Sequence, residues 1–299
     1  MTRTLVTGAA GFTGRYLTRV LAERGHEVHG VVHHMPDEAI AGVSAVHVAD
    51  LVNHSAISQV ATQVSPHHVV HLAAIAFVGH DDIEEMYRSN VVGTRQLLDA
   101  LADLAERPKS ILLASSANVY GNARAGVLEE TLPLSPANDY GVTKVAAEFV
   151  ARLYQARLPL IVVRPFNYTG RGQTDNFLIP KIVSHARRRV PVIELGNLDV
   201  ARDFSDVRTV VDAYARLLDT PQALGGTFNM CAGRAVTLAE ILDLVGDLTG
   251  HRFVIQVNPA LVRADEVRTL SGSAAKLETV IGKLDGIPLR ETLRWMLED

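Results

Sequence analysis

The chain has little cysteine, no excess of either charge and no long apolar run. Its single cysteine, Cys231, excludes an internal disulfide, and no cysteine–histidine cluster has the spacing of a zinc site. No apolar stretch approaches the roughly 20 residues of a membrane span, and the first residues lack the pattern of a signal peptide. The 29 Lys and Arg against 33 Asp and Glu provide no basic field for nucleic acid. These absences predict a soluble cytoplasmic protein that uses no metal.

What the chain does contain is an alternation of short apolar strands with helical stretches. Its 299 residues, 47% of them apolar, are enough to bury a sizeable core. Strands are predicted at residues 4–7, 27–32, 45–48, 68–72, 110–114 and 160–164, and helices at residues 15–24, 90–105 and 140–157. This alternation predicts an α/β fold with a doubly wound parallel sheet. Beyond Pro165, glycine, proline and asparagine become frequent, which indicates a second, smaller domain.

A glycine-rich loop lies between the first predicted strand and the first predicted helix. Gly8, Gly11 and Gly14 allow a tight turn and let a pyrophosphate approach the helix N-terminus, where N–H groups and the dipole favour anions. The strand before the loop and the helix after it make a dinucleotide the favoured ligand. At the end of the third strand, Asp50 is followed by Leu51, and its carboxylate either accepts from an adenine amino group or caps a helix.

The end of the second predicted strand decides between NAD and NADP. A carboxylate there would bind the ribose 2′-hydroxyl. The chain instead has His33 and His34, and its next acidic residue is Asp37. The missing acid removes repulsion against a 2′-phosphate, and two imidazoles can donate hydrogen bonds to it, unless both rings are simply solvated. NADP(H) is therefore the favoured cofactor, and NAD(H) is the alternative.

A tyrosine and a lysine four residues apart, Tyr140 and Lys144, lie on one face of a predicted helix. The positive charge is expected to lower the pKa of the phenol below its usual value of about 10, so that the tyrosine exchanges a proton near neutral pH. Ser116 precedes them in the chain and carries a hydroxyl that can hold a substrate oxygen beside the phenol. The pattern alone also fits a solvated helix pair with a packed tyrosine.

Ordered motifs along the chain resemble those of a known family. They are residues 8–14, 50–51, 71–74, 90–94, 115–121, 140–144 and 164–167. Together they resemble the extended short-chain dehydrogenases/reductases that act on nucleotide sugars, over nearly the full length of the chain. The resemblance implies the fold and the assembly that such enzymes have.

The implied fold is a Rossmann domain followed by a smaller C-terminal α/β domain that binds the nucleotide sugar. The first comprises residues 1–166, with residues 203–225 returning to it, and the second comprises residues 167–202 and 226–299. The resemblance also implies a homodimer through a four-helix bundle. Residues 95–106 and 140–157 would supply the helices of that bundle.

The same resemblance implies the site residues. Ser116, Tyr140 and Lys144 would be catalytic. Cofactor contacts are implied for Gly8, Gly11, Phe12, Thr13, Gly14, His33, His34, Asp50, Leu51, Leu72, Ala73, Ala74, Asn90, Tyr140 and Lys144. Substrate contacts are implied for Ser116, Asn167, Lys181, Asn197, Arg202, Arg263 and Glu266. In that set the cationic side chains supply charge for a diphosphate, and the glutamate accepts from ribose hydroxyls.

Residues 169–173, 177–181 and 195–204 resemble the branch of GDP-mannose 4,6-dehydratases and GDP-4-keto-6-deoxymannose reductases. Dehydratases of this family carry an acid or serine and then a glutamate after the catalytic serine or threonine. This chain has Ala117 and Asn118 there, and neither side chain can exchange a proton. The resemblance therefore implies NAD(P)H-dependent reduction of GDP-4-keto-6-deoxy-D-mannose to GDP-D-rhamnose or GDP-6-deoxy-D-talose. The alternatives are a nucleotide-sugar 4-epimerase that uses NAD and a dinucleotide-binding sensor without catalytic activity.

Overall fold

The computed structural model describes residues 1–121, 126–262 and 268–298. The strands are β1 (Thr2–Thr7), β2 (His26–Val32), β3 (Ala45–Val48), β4 (His68–His71), β5 (Ser110–Ala114), β6 (Val127–Leu128), β7 (Leu160–Pro165), β8 (Asn167–Thr169), β9 (Val192–Leu195), β10 (Ala201–Asp206), β11 (Thr227–Met230), β12 (Ala235–Thr237), β13 (Val254–Val257) and β14 (Thr269–Gly272). The helices are α1 (Phe12–Glu23), α2 (His54–Val64), α3 (Ile83–Tyr87), α4 (Thr94–Ala102), α5 (Asp139–Leu153), α6 (Leu178–Arg187), α7 (Val207–Leu218), α8 (Leu238–Thr249), α9 (Ala275–Ile281) and α10 (Leu289–Leu297).

Seven parallel strands form the large sheet, in the order β11-β7-β5-β4-β1-β2-β3. The helices α1 and α7 pack on one face, in a core that includes Leu17 and Val210. The helices α2, α4 and α5 pack on the other face, in a core that includes Ile57 and Leu97. Because the strand order reverses between β1 and β4, the carboxyl ends of these two strands form the crevice in which such sheets bind ligands.

The second part of the fold is a smaller set of strands and helices. In the five-stranded sheet β12, β10, β14 and β6 are neighbours in that order, and β8 pairs with β10. The strands β9 and β13 form a separate pair, and α6, α8 and α10 enclose a core that includes Ile182, Ile241 and Leu293. In the parallel pair of β8 and β10, Asn167 lies opposite Phe204. Within the described ranges no helix has the length and apolar character that crossing a bilayer requires.

The doubly wound parallel sheet is confirmed, and each predicted strand end lies within two residues of the observed one. Two predicted helices are too long, because α4 ends at Ala102 and α5 at Leu153. In both cases the apolar pattern continues beyond the helix, where Leu104 and Tyr154 pack into the same core from outside the helices. The segment before α4 is a π-helical turn, Arg88–Gly93.

The predicted domain boundary at residue 226 is wrong, because it assigns a strand of the large sheet to the second domain. The second domain was expected to resume at residue 226, whereas β11 pairs with β7 and completes the large sheet. Phe228, Asn229 and Met230 in this strand are all buried. The glycine pair before the strand and the asparagine inside it are typical of turns, so the sequence pattern does not predict a strand there. The wider division into two domains stays a prediction.

Candidate active site

The glycine loop brings three backbone segments into close contact. Gly8 has a φ of +70°, and a Cβ on it would lie 2.8 Å from the amide nitrogen of Ala73. A Cβ on Gly14 would lie 2.3 Å from the carbonyl oxygen of Gly8. The helix α1 begins at Phe12, and Gly11 at its N-cap provides no side-chain hydrogen bond. The first N–H groups of α1 therefore suit an anion, and the cradle fits the pyrophosphate of a dinucleotide.

Replacing Gly14 with alanine tests this cradle. The added methyl would overlap the Gly8 carbonyl, and overpacking of this kind costs about 1–3 kcal/mol. We therefore expect the dissociation constant for the dinucleotide to rise about 10- to 100-fold, as measured by calorimetric titration. Gly286→Ala is the matched control, because a Cβ there meets no atom of the described residues within 4 Å. Equal affinity in the two variants would contradict the assignment of this loop.

A chain of hydrogen bonds leads from the glycine loop toward α4. The Ala73 N–H donates to Thr7 Oγ1 (3.3 Å), which contacts His71 Nδ1 (2.7 Å). On the other side of the ring, His71 Nε2 contacts Thr94 Oγ1 (2.9 Å). Because Thr94 donates its own proton to the Asn90 carbonyl (2.6 Å), His71 must donate from Nε2 and accept at Nδ1. Burial lowers the pKa of His71 to about 3, so the imidazole stays neutral.

Asn90 continues this chain to the helix α5. Its side chain accepts from the Ile75 N–H (2.8 Å) and donates to the Ile75 carbonyl (3.0 Å). It also donates to Thr143 Oγ1 (3.1 Å), which donates to the Tyr140 carbonyl (2.7 Å). Both N–H groups of the Asn90 amide are therefore used inside the protein. This residue supports α5, and its direct contact with a cofactor stays a prediction.

Ser116, Tyr140 and Lys144 converge at the carboxyl end of β5. The Tyr140 phenol is hydrogen-bonded to the side chain of Ser116. The Lys144 Nζ lies 5.8 Å from the centre of the Tyr140 ring and donates to the Ala114 carbonyl (2.9 Å). All three residues are buried, with 6%, 8% and 7% of their surface exposed, respectively. The structure thus brings together the three residues predicted to be catalytic.

The pKa of Tyr140 is shifted in the direction opposite to the prediction. A lowered pKa was expected from the nearby lysine, but burial raises the pKa of Tyr140 above 10, the hydrogen bond from Ser116 opposes this, and Tyr168 adds to it. Burial also lowers the pKa of Lys144 to about 8, against the charge of Glu148. Tyr140 is therefore protonated at neutral pH, which suits a proton donor, and Lys144 titrates close to neutrality.

An ion pair that the sequence did not reveal lies next to these residues. Arg164 Nη2 contacts Glu148 Oε2 at 2.7 Å, and the two side chains are 3% and 4% exposed. Glu148 also accepts from the Ser115 hydroxyl (2.6 Å), and Arg164 donates to the Tyr120 hydroxyl (2.9 Å). The pair joins β5, α5 and β7, the elements on either side of the site. The sequence places Glu148 one helical turn after Lys144 on the same face of α5, but it has no signal for the pairing with Arg164.

Tyr168 on β8 is a second residue that the sequence did not reveal. Its hydroxyl shares a hydrogen bond with Thr13 Oγ1 (2.8 Å), and its ring stacks on Phe12 with centroids 6.1 Å apart. These contacts join the glycine loop to the strand that carries Asn167. The side-chain nitrogen of Asn167 is buried without a hydrogen-bond partner among the described residues. An unpaired buried donor here favours a ligand oxygen as its partner.

The remaining predicted cofactor residues lie at the carboxyl edge of the large sheet. His33 and His34 directly follow β2, are exposed, and have ring centroids 4.1 Å apart. Asp50 follows β3, and its carboxylate accepts from the backbone N–H of Val52 (3.0 Å). The N-cap of α2 is instead Asn53. The helix-cap alternative for Asp50 is therefore wrong, and its adenine contact stays a prediction. Leu51, Leu72 and Ala74 are half-buried at the ends of β3 and β4.

The remaining predicted substrate residues belong to the second part of the fold. Lys181 on α6 donates from Nζ to a carbonyl of β9 (2.7 Å), and Asn197 follows that strand. Arg202 lies on β10 and donates from Nη1 to the carbonyl of its preceding residue (2.9 Å). Arg263 and Glu266 lie outside the described residues. A joint diphosphate site of these residues stays a prediction.

A doubly wound sheet with this glycine cradle and this serine, tyrosine and lysine defines a dinucleotide-dependent short-chain dehydrogenase/reductase. The chain belongs to the NAD dependent epimerase/dehydratase family, whose model matches residues 4–231. It is 33% identical to a GDP-6-deoxy-D-talose 4-dehydrogenase from Aggregatibacter actinomycetemcomitans, over 93% of this chain and 90% of the relative. It is 32% identical to a GDP-6-deoxy-D-mannose reductase from Pseudomonas aeruginosa, over 99% of this chain and 96% of the relative.

Solved structures give the same fold. A candidate epimerase from Burkholderia cenocepacia J2315 superposes with a TM-score of 0.93 at 46% identity, covering 99% of this chain and 97% of that one. The structure of RMD from Pseudomonas aeruginosa complexed with NADPH superposes with a TM-score of 0.85 at 30% identity, covering 100% and 98% of the two chains. The chain is accordingly an NAD(P)-dependent oxidoreductase of the nucleotide-sugar family.

Proposed function

We propose that the chain reduces the C4 ketone of GDP-4-keto-6-deoxy-D-mannose with NAD(P)H, giving GDP-D-rhamnose or GDP-6-deoxy-D-talose. The observation that carries the proposal is the buried phenol of Tyr140 hydrogen-bonded to Ser116, with the uncharged Ala117 and Asn118 next in the chain. A dehydratase needs a further acid and base to expel the C6 hydroxyl, whereas reduction needs one proton. The names of the two curated relatives, a reductase and a dehydrogenase of GDP-6-deoxy sugars, support this choice.

The protein groups have separate tasks in this reaction. A bound nicotinamide dinucleotide supplies the hydride chemistry. Ser116 donates a hydrogen bond to the ketone oxygen, and Tyr140 gives its phenolic proton to that oxygen as negative charge develops. The ammonium of Lys144 then stabilises the phenolate that remains. Burial of all three groups keeps water out and strengthens these interactions.

The reaction should lose rate at alkaline pH. The buried Lys144 has a pKa lowered to about 8, so its ammonium is present below that pH and is lost above it. We expect kcat/KM for ketone reduction to be level from pH 6 to 7 and to fall with rising pH through about 8, toward about tenfold per pH unit. A pH profile of initial rates measures this. Lys144→Arg stays charged, so it should be slower but should not lose rate as pH rises through about 8. A wild-type kcat/KM that stays level to pH 10 would contradict the role of Lys144.

The proposed cofactor is NADPH, with NADH as the alternative. His33 and His34 are exposed where a 2′-phosphate of a cofactor in the glycine cradle would lie, and no carboxylate follows β2 before Asp37. The NADPH complex of RMD supports this choice. The family name refers to NAD, so kcat/KM must be compared for both cofactors. For the sugar nucleotide we propose Asn167, Lys181, Asn197, Arg202, Arg263 and Glu266 as the contacts.

A nucleotide-sugar 4-epimerase is the second candidate function. The 46% identity to a candidate epimerase favours it, and the same three catalytic residues can serve both directions of hydride transfer. Against it stands the end of β2, where His33 and His34 replace the acid that epimerases of this kind generally carry. A sensor without catalytic activity is a weaker candidate, because the serine, tyrosine and lysine are all present and converge.

The proposed assembly is a homodimer through α4 and α5. On α5, Val142, Phe149 and Leu153 are spaced along one helical face and are 37%, 52% and 71% exposed. Val92, just before α4, is 38% exposed. A second copy of this face would cover these side chains. Light scattering should give twice the chain mass of 32.4 kDa, and a mass of one chain would contradict the dimer. A cytoplasmic location remains part of the proposal.

The decisive assay incubates the purified protein with GDP-4-keto-6-deoxy-D-mannose and NADPH. The proposal predicts loss of the reduced-nicotinamide absorbance in a 1:1 ratio with a GDP-6-deoxy-hexose, whose C4 configuration separates GDP-D-rhamnose from GDP-6-deoxy-D-talose. Parallel assays with UDP- and dTDP-4-keto sugars test the choice of base. A separate incubation of GDP-hexoses that carry a C4 hydroxyl with the enzyme and NAD tests the epimerase, and interconversion of their C4 epimers without net formation of NADH would favour it instead. No reaction with any of the 4-keto sugars would refute the reductase.

A further inference from the structure

The oxygen of Ser116 is contacted by two donors from one residue. It accepts from the backbone N–H and from the side-chain amide of Asn118, each at 3.1 Å. A serine hydroxyl has two lone pairs and one proton. Both lone pairs are therefore used, and the single proton of Ser116 is left to be donated, either to Tyr140 or to a substrate oxygen that takes its place as acceptor.

Asn118 is held against both segments that carry the catalytic groups. It lies in the 3₁₀ turn Ala117–Tyr120, for which Ser116 is the N-cap. Its carbonyl oxygen packs against the first turn of α5, where a Cβ on Gly141 would lie 2.8 Å from it. The backbone contact with Ser116 belongs to the turn itself, whereas the side-chain contact is an addition that a side chain without a hydrogen-bond donor would not make. This addition determines which way the serine proton points.

We propose that Asn118 is a positioning residue that fixes Ser116 as a hydrogen-bond donor to the C4 ketone oxygen, which suits the site to ketone reduction. The inference rests on the proposed function, which supplies the ketone. A carboxylate in place of the amide would accept the serine proton and turn it away from the ketone. An uncharged amide donates to Ser116 without that competition.

Two variants separate this role from a structural one. Asn118→Ala should lower kcat about tenfold, the effect of one lost hydrogen bond, with KM and the cofactor dissociation constant within about twofold. Asn118→Asp is nearly isosteric and should lower kcat about 100-fold at pH 7, within the usual range for a misdirected proton network. Its rate should recover as pH falls from 7 to 6 and below and the new carboxyl protonates, because the neutral acid donates to Ser116 again. The wild-type rate should stay level between pH 6 and 7, where Lys144 remains charged.

A double variant keeps the test decisive if one substitution also affects folding. If Asn118 acts through the serine, Ser116→Ala/Asn118→Ala should be no slower than Ser116→Ala beyond about twofold. An Asn118→Asp enzyme with the wild-type rate and pH profile, or independent losses in the double variant, would overturn the inference while the reductase function stands. A wild-type enzyme that reduces no 4-keto sugar would overturn the proposed function and this inference with it.

Discussion

Tyr140→Phe should lower kcat for ketone reduction about 10²- to 10⁴-fold, the usual contribution of a positioned proton donor. Phenylalanine keeps the buried ring but has no proton to give, and Ser116 loses the phenol oxygen as its hydrogen-bond acceptor. The ring fills the same space, so the dissociation constant for the cofactor should stay within about twofold. Initial rates from the nicotinamide absorbance and calorimetric titration measure the two quantities.

Tyr87→Phe is the matched control for this substitution. It removes the same atom from a phenol that donates to Asp139 (3.1 Å), the residue before Tyr140, outside the catalytic group. Its kcat should stay at the wild-type value. Near-wild-type turnover in Tyr140→Phe, or an equal loss in both variants, would show that another group supplies the proton.

Arg164→Met should lower the free energy of unfolding by about 3–5 kcal/mol, because it leaves the buried Glu148 carboxylate without its partner. The Ser115 hydroxyl would remain as a hydrogen bond to that charge, which is less than the arginine supplies. Chemical denaturation followed by circular dichroism gives the free energy. Glu148 lies on the helix that carries Lys144 and contacts Ser115, the neighbour of Ser116. Loss of stability there should therefore also lower turnover.

Two controls identify burial of the charge as the cause. Arg157→Met breaks a pair with Asp103 whose side chains are 48% and 70% exposed, and it should change stability by less than about 1 kcal/mol. The double variant Glu148→Gln/Arg164→Met removes both charges and should recover part of the stability lost in Arg164→Met. An Arg164→Met variant as stable as wild type would contradict the ion pair of Arg164 with Glu148.

The large sheet could be predicted because its strands are short apolar runs between turn residues, and buried parallel strands require that composition. The strand β11 could not, since its burial depends on β7 as a distant partner and its four residues include an asparagine. The helix ends also depended on tertiary structure. Leu104 and Tyr154 satisfy the helical apolar pattern while they pack from outside the helices.

The residues proposed as catalytic could be found in the sequence because a helix fixes the spacing of Tyr140 and Lys144, and the glycine loop could be found because it has a local backbone requirement. The pKa of Tyr140 could not, because desolvation is set by every element that covers the phenol, and the sequence reveals only the neighbouring charge. The contacts of Glu148 with Arg164, and of Tyr168 with Thr13, join residues distant in the chain. Only the fold could reveal them.

Transfer of deuterium to the sugar tests reduction at C4 most directly. The enzyme is incubated with GDP-4-keto-6-deoxy-D-mannose and NADPH carrying deuterium on one or the other face of nicotinamide C4, and the product is examined by mass spectrometry and NMR. We predict one deuterium at C4 of the 6-deoxy-hexose from one labelled cofactor and none from the other, with one NADPH consumed per sugar. An unlabelled sugar with both cofactors would contradict the reductase.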